Sequence, residues 1–206
     1  MSPSHTGGIL LKCAGRLRAP ETLPAALKDF ARSVPLASGV AAHAAVEGDE
    51  SYLYVFSLEF GALHGPTLAR IVENGHRLPA LEGLGVEVIR LAPMFDVPGA
   101  SAAEAPRFHY VVETDVVPEH EADLNAWYDE EHMPGLAACP GTVRARRFRN
   151  PDGSPRYHSC YDLVRTETLG SEPWLAVRRT AWSDRVRPHF RNTKRTMFRR
   201  LFALEL

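Results

Sequence analysis

Apolar positions along this chain fall into short alternating runs and short helical stripes, never one long block. Residues 8–15, GILLKCAG, read as a strand by apolar content. Residues 21–34 place Leu23, Leu27, Phe30 and Val34 at helical spacing. Residues 38–46 and 51–60 read as two strands joined by the turn Glu47-Gly48-Asp49-Glu50. Residues 67–74 open a helix that Gly75 is expected to end, and 86–94 read as a fourth strand. The order is β-α-β-β-α-β, behind a polar lead over 1–7 read as disordered. The Pro/Gly/Ala/Ser-rich stretch 96–106 then reads as a linker.

The pattern repeats after it. A strand over 107–117 and a helix over 121–133 precede strands over 142–148 and 156–166, which flank the turn 150–155. A long helix over 174–184 ends near Pro188, and 195–204 closes as a strand. The chain therefore reads as an α+β protein built by tandem duplication, with a period of roughly 100 residues. Its halves are 1–98 and 107–206, with 99–106 between them. The element order is the ferredoxin-like signature. A sheet with helices on one face leaves the other face to be covered. A fused pair can cover both bare faces within one chain, which does not exclude a homodimer of the two-repeat chain.

The stretch EADLNAWYDEEHMPGLAACP, 121–140, holds the most unusual pattern. Leu124, Tyr128 and His132 recur at i, i+4, i+8; Leu124, Trp127 and Glu131 recur at i, i+3, i+7. Those rows are neighbours on a helix, so one face carries an indole, a phenol, a carboxylate and an imidazole. Burying such groups is costly unless they are paired, so a purely structural helix would use Leu or Ala there. Pro134 is expected to end the helix, and Pro140-Gly141 to turn the chain into a strand. The matching helix of the first half has no Trp, Tyr, Glu or His at the corresponding places. That asymmetry predicts one site, in the second half, with a degenerate first half as scaffold.

The run WYDEEHMPGLAACPG, followed by TVRARRF, resembles the dimeric α+β-barrel superfamily of ferredoxin-like domains. It is most similar to EthD-like and uncharacterised members with a W-Y-x-x-x-H-x-P helix. PWLAVRRTAWSDRVRPHFRN looks like the second helix of the same group. The resemblance covers 107–206 and implies two such repeats forming an intramolecular barrel. It leaves the reaction open, because the superfamily hosts isomerases, dehydratases, cofactor-free oxygenases, haem enzymes and plain binders.

The chemistry then rests on named side chains. His132 is the candidate general acid/base, since an imidazole takes up and gives proton near neutral pH. Tyr128, one turn earlier, would orient it or hydrogen-bond a substrate carbonyl. His109 and His158 fall on neighbouring strands and are second polar candidates, able to form a polar pocket, meet each other or bind a metal; no third ligand shows a defined spacing. Strand alternation leaves open which face lines the pocket. Trp127, Glu131, Arg146 and Trp182 are candidate substrate contacts, with Glu131 also able to pair with an arginine of the next strand. His189, beside Pro188, reads as a helix terminus, although in haem-binding relatives a helical histidine ligates iron.

Composition narrows this further. The 206 residues carry a formal net charge of −1, which gives no bulk case for nucleic acid or membrane partners. Lys and Arg concentrate in the second half, as surface salt bridges or as one or two contacts to an anionic substrate group. Cys13, Cys139 and Cys160 are too scattered for a disulfide framework, no apolar run reaches the roughly 18 residues of a membrane span, and a cytoplasmic protein is expected. No phosphate loop, dinucleotide fingerprint or nucleophile elbow is present. The expectation is a cofactor-free enzyme moving protons on an apolar or aromatic, carbonyl-bearing small molecule: isomerisation, dehydration or cyclisation. The alternatives are cofactor-independent oxygenation of a phenol and a non-catalytic ligand- or haem-binding protein.

Overall fold

The fold is that of a computed structural model, which describes residues 6–15, 17 and 21–206. The expected lead over 1–7 lies largely outside the described residues. Eight strands and six short α-helices follow the order β1 (Gly7–Ala14), α1 (Leu23–Ala31), β2 (Ala37–Ala45), β3 (Glu50–Ser57), α2 (Gly65–His76), β4 (Gly85–Pro98), β5 (Phe108–Val116), α3 (Glu121–Trp127), α4 (Met133–Ala137), β6 (Thr142–Arg149), β7 (Tyr157–Leu163), α5 (Glu172–Arg178), α6 (Ala181–Val186) and β8 (Phe190–Glu205).

The chain divides into two compact units, 1–93 with 198–206, and 94–197. The boundary falls inside β4 and inside β8. It differs from the expected break at 99–106. That stretch is pinned within the second unit, where Gly99 and Ser101 donate backbone hydrogen bonds to Val143 and Thr142, and Ala100 to Ala137. Small residues permit this approach: a Cβ on Gly99 would meet the Thr142 carbonyl oxygen at 2.1 Å.

In the first unit the strands run β4-β1-β3-β2-β8, all antiparallel. Helix α1 lays Leu23, Leu27 and Phe30 onto this sheet, where they join Ile9, Leu11, Val40, Leu53 and Val55 in one buried cluster. Each such side chain contributes about 2 kcal/mol by leaving water. Gly75 does not end its helix. It sits inside α2, where an added Cβ would press on Leu11 at 3.0 Å, so glycine sets the distance between helix and sheet.

In the second unit the order is β8-β5-β7-β6-β4, the same sequence of neighbours. Strand β5 pairs β7 with Tyr110 opposite Tyr161, and β7 pairs β6 with Tyr161 opposite Ala145. One face of these strands presents Tyr110, Val112, Tyr157, Tyr161, Leu163 and Ala145 to Leu124, Trp127, Tyr128, Met133 and Trp174 of the helices. Alternation sends His109, Glu113, His158, Cys160 and Asp162 to the opposite face. The long helix expected over 174–184 is two helices. Thr180 breaks it, because its hydroxyl accepts the Ser183 backbone N–H at 3.0 Å and caps α6.

Candidate functional site

The site begins with a local irregularity. In an unbroken α-helix residue 134 would donate to residue 130, but proline has no N–H. The chain widens by one residue just before it. Tyr128–His132 form a π-turn in which the Met133 N–H reaches back five residues to the Tyr128 carbonyl. Such wide turns are rare inside helices and frequent at functional sites. The helix therefore runs through Pro134 to Ala137 rather than ending there.

This turn aims both candidate groups inward while leaving Asp129 and Glu130 exposed. His132 is only 8% exposed. Its ring stacks on Trp127, centroids 4.0 Å apart, and the Tyr128 ring meets it edge-on at 5.4 Å. Its Nδ1 is buried and meets no hydrogen-bond partner among the described residues. Burial, reinforced by the positive charges of Arg178, Arg187 and Arg147, pushes its pKa down to about 3. The imidazole is neutral at physiological pH. Burial also raises the Tyr128 phenol above its ordinary value, opposed by the charge of Arg147.

Arg147 underlies this pair. It is fully buried, with its guanidinium 4.1 Å from the Tyr128 ring centroid and 4.5 Å from that of Tyr157. It donates to Asn125 Oδ1 at 2.8 Å and lies 3.7 Å from Asp129. Two aromatic faces, one amide and the half-exposed carboxylate of Asp129 hold its charge.

His132, Tyr128 and Trp127 open onto a cavity of about 30 Å3. Tyr110, Tyr161 and Trp174 form its apolar walls with Phe190. Its polar lining includes Arg178 in the last turn of α5, Arg187 after α6 and Arg195 on β8, with no carboxylate among the lining residues. None of the three arginines makes an ion pair among the described residues. Arg187 has its pKa lowered by burial and then by Arg178 and Arg195, a sign of like charges held close; Asp184 opposes them weakly.

The other expected residues lie elsewhere. Glu131 pairs with no arginine. It accepts from the Trp127 indole N–H at 3.1 Å and from the Thr180 hydroxyl at 2.6 Å, tying the site helix to the start of α6. Trp182 lines no part of the cavity; its indole N–H donates to Asp123 at 2.8 Å, beside Arg185. His109 and His158 are on the sheet face away from His132. They stand opposite Asp162 and Glu113, four rungs apart, and so do not meet each other. His109 Nδ1 is 2.8 Å from Asp162, which also accepts from Arg146 at 3.0 Å, and His158 Nδ1 is 3.8 Å from Glu113. Arg146 thus belongs to a buried ion-pair cluster on that face. His189 stacks flat on His120, ring centroids 3.3 Å apart, and does not line the cavity.

Sequence reasoning missed Trp174, Tyr110 and Phe190, and it placed Arg178, Arg187 and Arg195 only within a basic half of which one or two arginines could meet an anionic substrate group. For Trp174 a signal existed in Thr180-x-x-Ser183, a capping pattern that marks the break between α5 and α6 and shifts the phase of the helix before it.

No family model matches the chain, and no curated protein sequence does. Solved structures do. A candidate monooxygenase of Fusobacterium nucleatum is 11% identical over 98% of each chain, with a TM-score of 0.64. An anthrone oxidase-like protein is 14% identical over 99% of this chain and 94% of its own, with a TM-score of 0.58. A chlorite dismutase of Candidatus Nitrospira defluvii is 9% identical over 94% of this chain and 91% of its own, also at 0.58. These neighbours are dimeric α+β-barrel proteins, and the likeness is one of fold. No helix among the described residues is long and apolar enough to cross a membrane.

Proposed function

We propose that the chain is a cofactor-free enzyme that takes a proton from an aromatic, carbonyl-bearing small molecule. One observation carries this reading: a buried, neutral imidazole with a free nitrogen, beside a buried phenol, at the wall of a cavity lined by arginines. His132 is the base. Tyr128 donates to the oxygen on which the substrate's negative charge develops. A histidine with so low a pKa is a weak base toward a free acid. The same positive field, however, stabilises the enolate or phenolate left behind, so it helps the substrate to lose the proton that it hinders His132 from holding. Reprotonation at another atom completes an isomerisation, dehydration or cyclisation.

The cavity takes only the reacting end of such a substrate; the rest lies at the mouth beside half-buried Phe190. The two-repeat reading of the fold, with ferredoxin-like halves making an internal barrel and the site in the second, belongs to the same proposal. It is supported by the matching strand orders of the two units. So do a cytoplasmic setting, a small-molecule partner rather than nucleic acid or membrane, and a possible homodimer.

A second reading is favoured by the neighbours described as a monooxygenase and an anthrone oxidase-like protein. The carbanion made by His132 would react with dioxygen. Oxidising a methylene to a carbonyl takes one oxygen atom into product and releases the other as water with the two hydrogens, so no external reductant is needed. The two readings part in one experiment. With 2-tetralone in D2O, proton transfer predicts solvent deuterium entering the carbon beside the carbonyl. With anthrone in air, oxygenation predicts oxygen uptake. His132→Gln should abolish whichever occurs; the same rate in that variant would end both readings.

A further inference from the structure

The three arginines exceed what the proposed proton transfer requires. An oxyanion accepts about three hydrogen bonds, and the Tyr128 hydroxyl supplies one. Three guanidiniums bring about fifteen N–H donors. In the free protein Arg178 and Arg195 press on Arg187, Arg178 and Arg187 depress His132, and no carboxylate lines the cavity. Such an arrangement is costly unless a ligand brings a lasting negative charge.

We infer that Arg178, Arg187 and Arg195 form an anion clamp and that the natural ligand is an aromatic carboxylic acid, its carboxylate held by the arginines and its ring beside Phe190 at the cavity mouth. This rests on the enzymatic reading above for its site, though not for its test. Guanidinium forks match carboxylates two oxygens at a time. The walls are rings rather than polar chains, which favours an arene acid over a free inorganic anion. The arginines come from separate elements, α5, the turn after α6, and β8, so their convergence does not follow from one helix face.

Binding is read by calorimetry on the full chain, with 2-naphthoate as probe and its methyl ester, inorganic phosphate and acetate as comparisons. The acid should bind at least tenfold more tightly than the ester, phosphate or acetate. Arg178→Met and Arg187→Met should each weaken 2-naphthoate at least tenfold, while Arg32→Met, an exposed residue of the other unit, should change nothing. If a Met variant melts early, Arg178→Lys and Arg187→Lys keep charge and bulk and should bind between wild type and Met. Equal binding of acid and ester, phosphate as tight as 2-naphthoate, or unchanged binding in the arginine variants would overturn the clamp. His132→Gln separates the two claims. It should retain naphthoate binding, so a dead but binding variant supports both, and a catalytic protein that ignores the carboxylate sinks only the clamp.

Discussion

The imidazole of His132 lies nearly flat on the indole of Trp127, ring centroids 4.0 Å apart and planes 24° from parallel. An aromatic face on one side and arginine charges around it give a proton on His132 neither water nor a counter-ion. The folded state therefore refuses a proton that the unfolded chain accepts below about pH 6.5.

A pH dependence follows from that refusal. The folded pKa, about 3, is below the ordinary 6.5, so between those values the unfolded state binds more protons. Stability from this residue is whole above about pH 6.5 and is lost as pH falls toward 3, by on the order of 4 kcal/mol. Denaturant titrations at pH 7, 5 and 4 should show the loss, and His132→Phe should flatten much of the slope. Nitrogen chemical shifts should keep His132 neutral at pH 5, and the acid limb of kcat/KM should lie well below 6.

Tyr128 is expected to act through its hydroxyl alone. Tyr128→Phe keeps the ring against His132 and Arg147 and removes only the hydroxyl. Folding stability should stay within about 1 kcal/mol of wild type, while kcat falls roughly 10- to 100-fold. Steady-state kinetics beside a thermal melt checks both; unchanged kcat would remove Tyr128 from the chemistry.

The opposite sheet face should behave as structure. Asp162→Asn removes the buried charge shared by His109 and Arg146, at a cost of about 3 kcal/mol. The midpoint of chemical denaturation should fall accordingly. His158→Gln should leave turnover per folded molecule within about twofold of wild type, as should His109→Gln, since neither residue lines the cavity.

Thr180 joins two roles in one hydroxyl, capping α6 and donating to Glu131. Thr180→Ala should destabilise by about 1–2 kcal/mol. Thr180→Ser, which keeps the oxygen, should recover most of that, as a pair of thermal melts would show.

The strands and most helices were legible because alternation and helical spacing are local. Residues 121–140 announced themselves because His132 and Tyr128 fall on a stripe otherwise filled by Leu124 and Trp127. Other features were hidden by physics that acts between elements. The face of β5 that meets the helices is fixed by packing, so His109 and Tyr110 could not be told apart as pocket residues from alternation. Trp182 was favoured over Trp174 because a helix read as continuous keeps one phase, whereas the cap at Thr180 resets it. Arg178, Arg187 and Arg195 lay inside a basic segment that reads equally well as solvated surface, and only their convergence sets them apart. Residues 96–106 have the composition of a tether, yet their backbone hydrogen bonds hold them to β6 and α4.

The wide turn at Tyr128–His132 amounts to one surplus residue spliced into an otherwise regular helix. Each position in a helix advances by about 100°, so excising a single residue there would restore an even coil while swinging the imidazole out of line with Trp127. The strands would still pair. On the enzymatic reading, activity is thus one codon deep: a distant cousin short by that residue would share the architecture and have lost the trade.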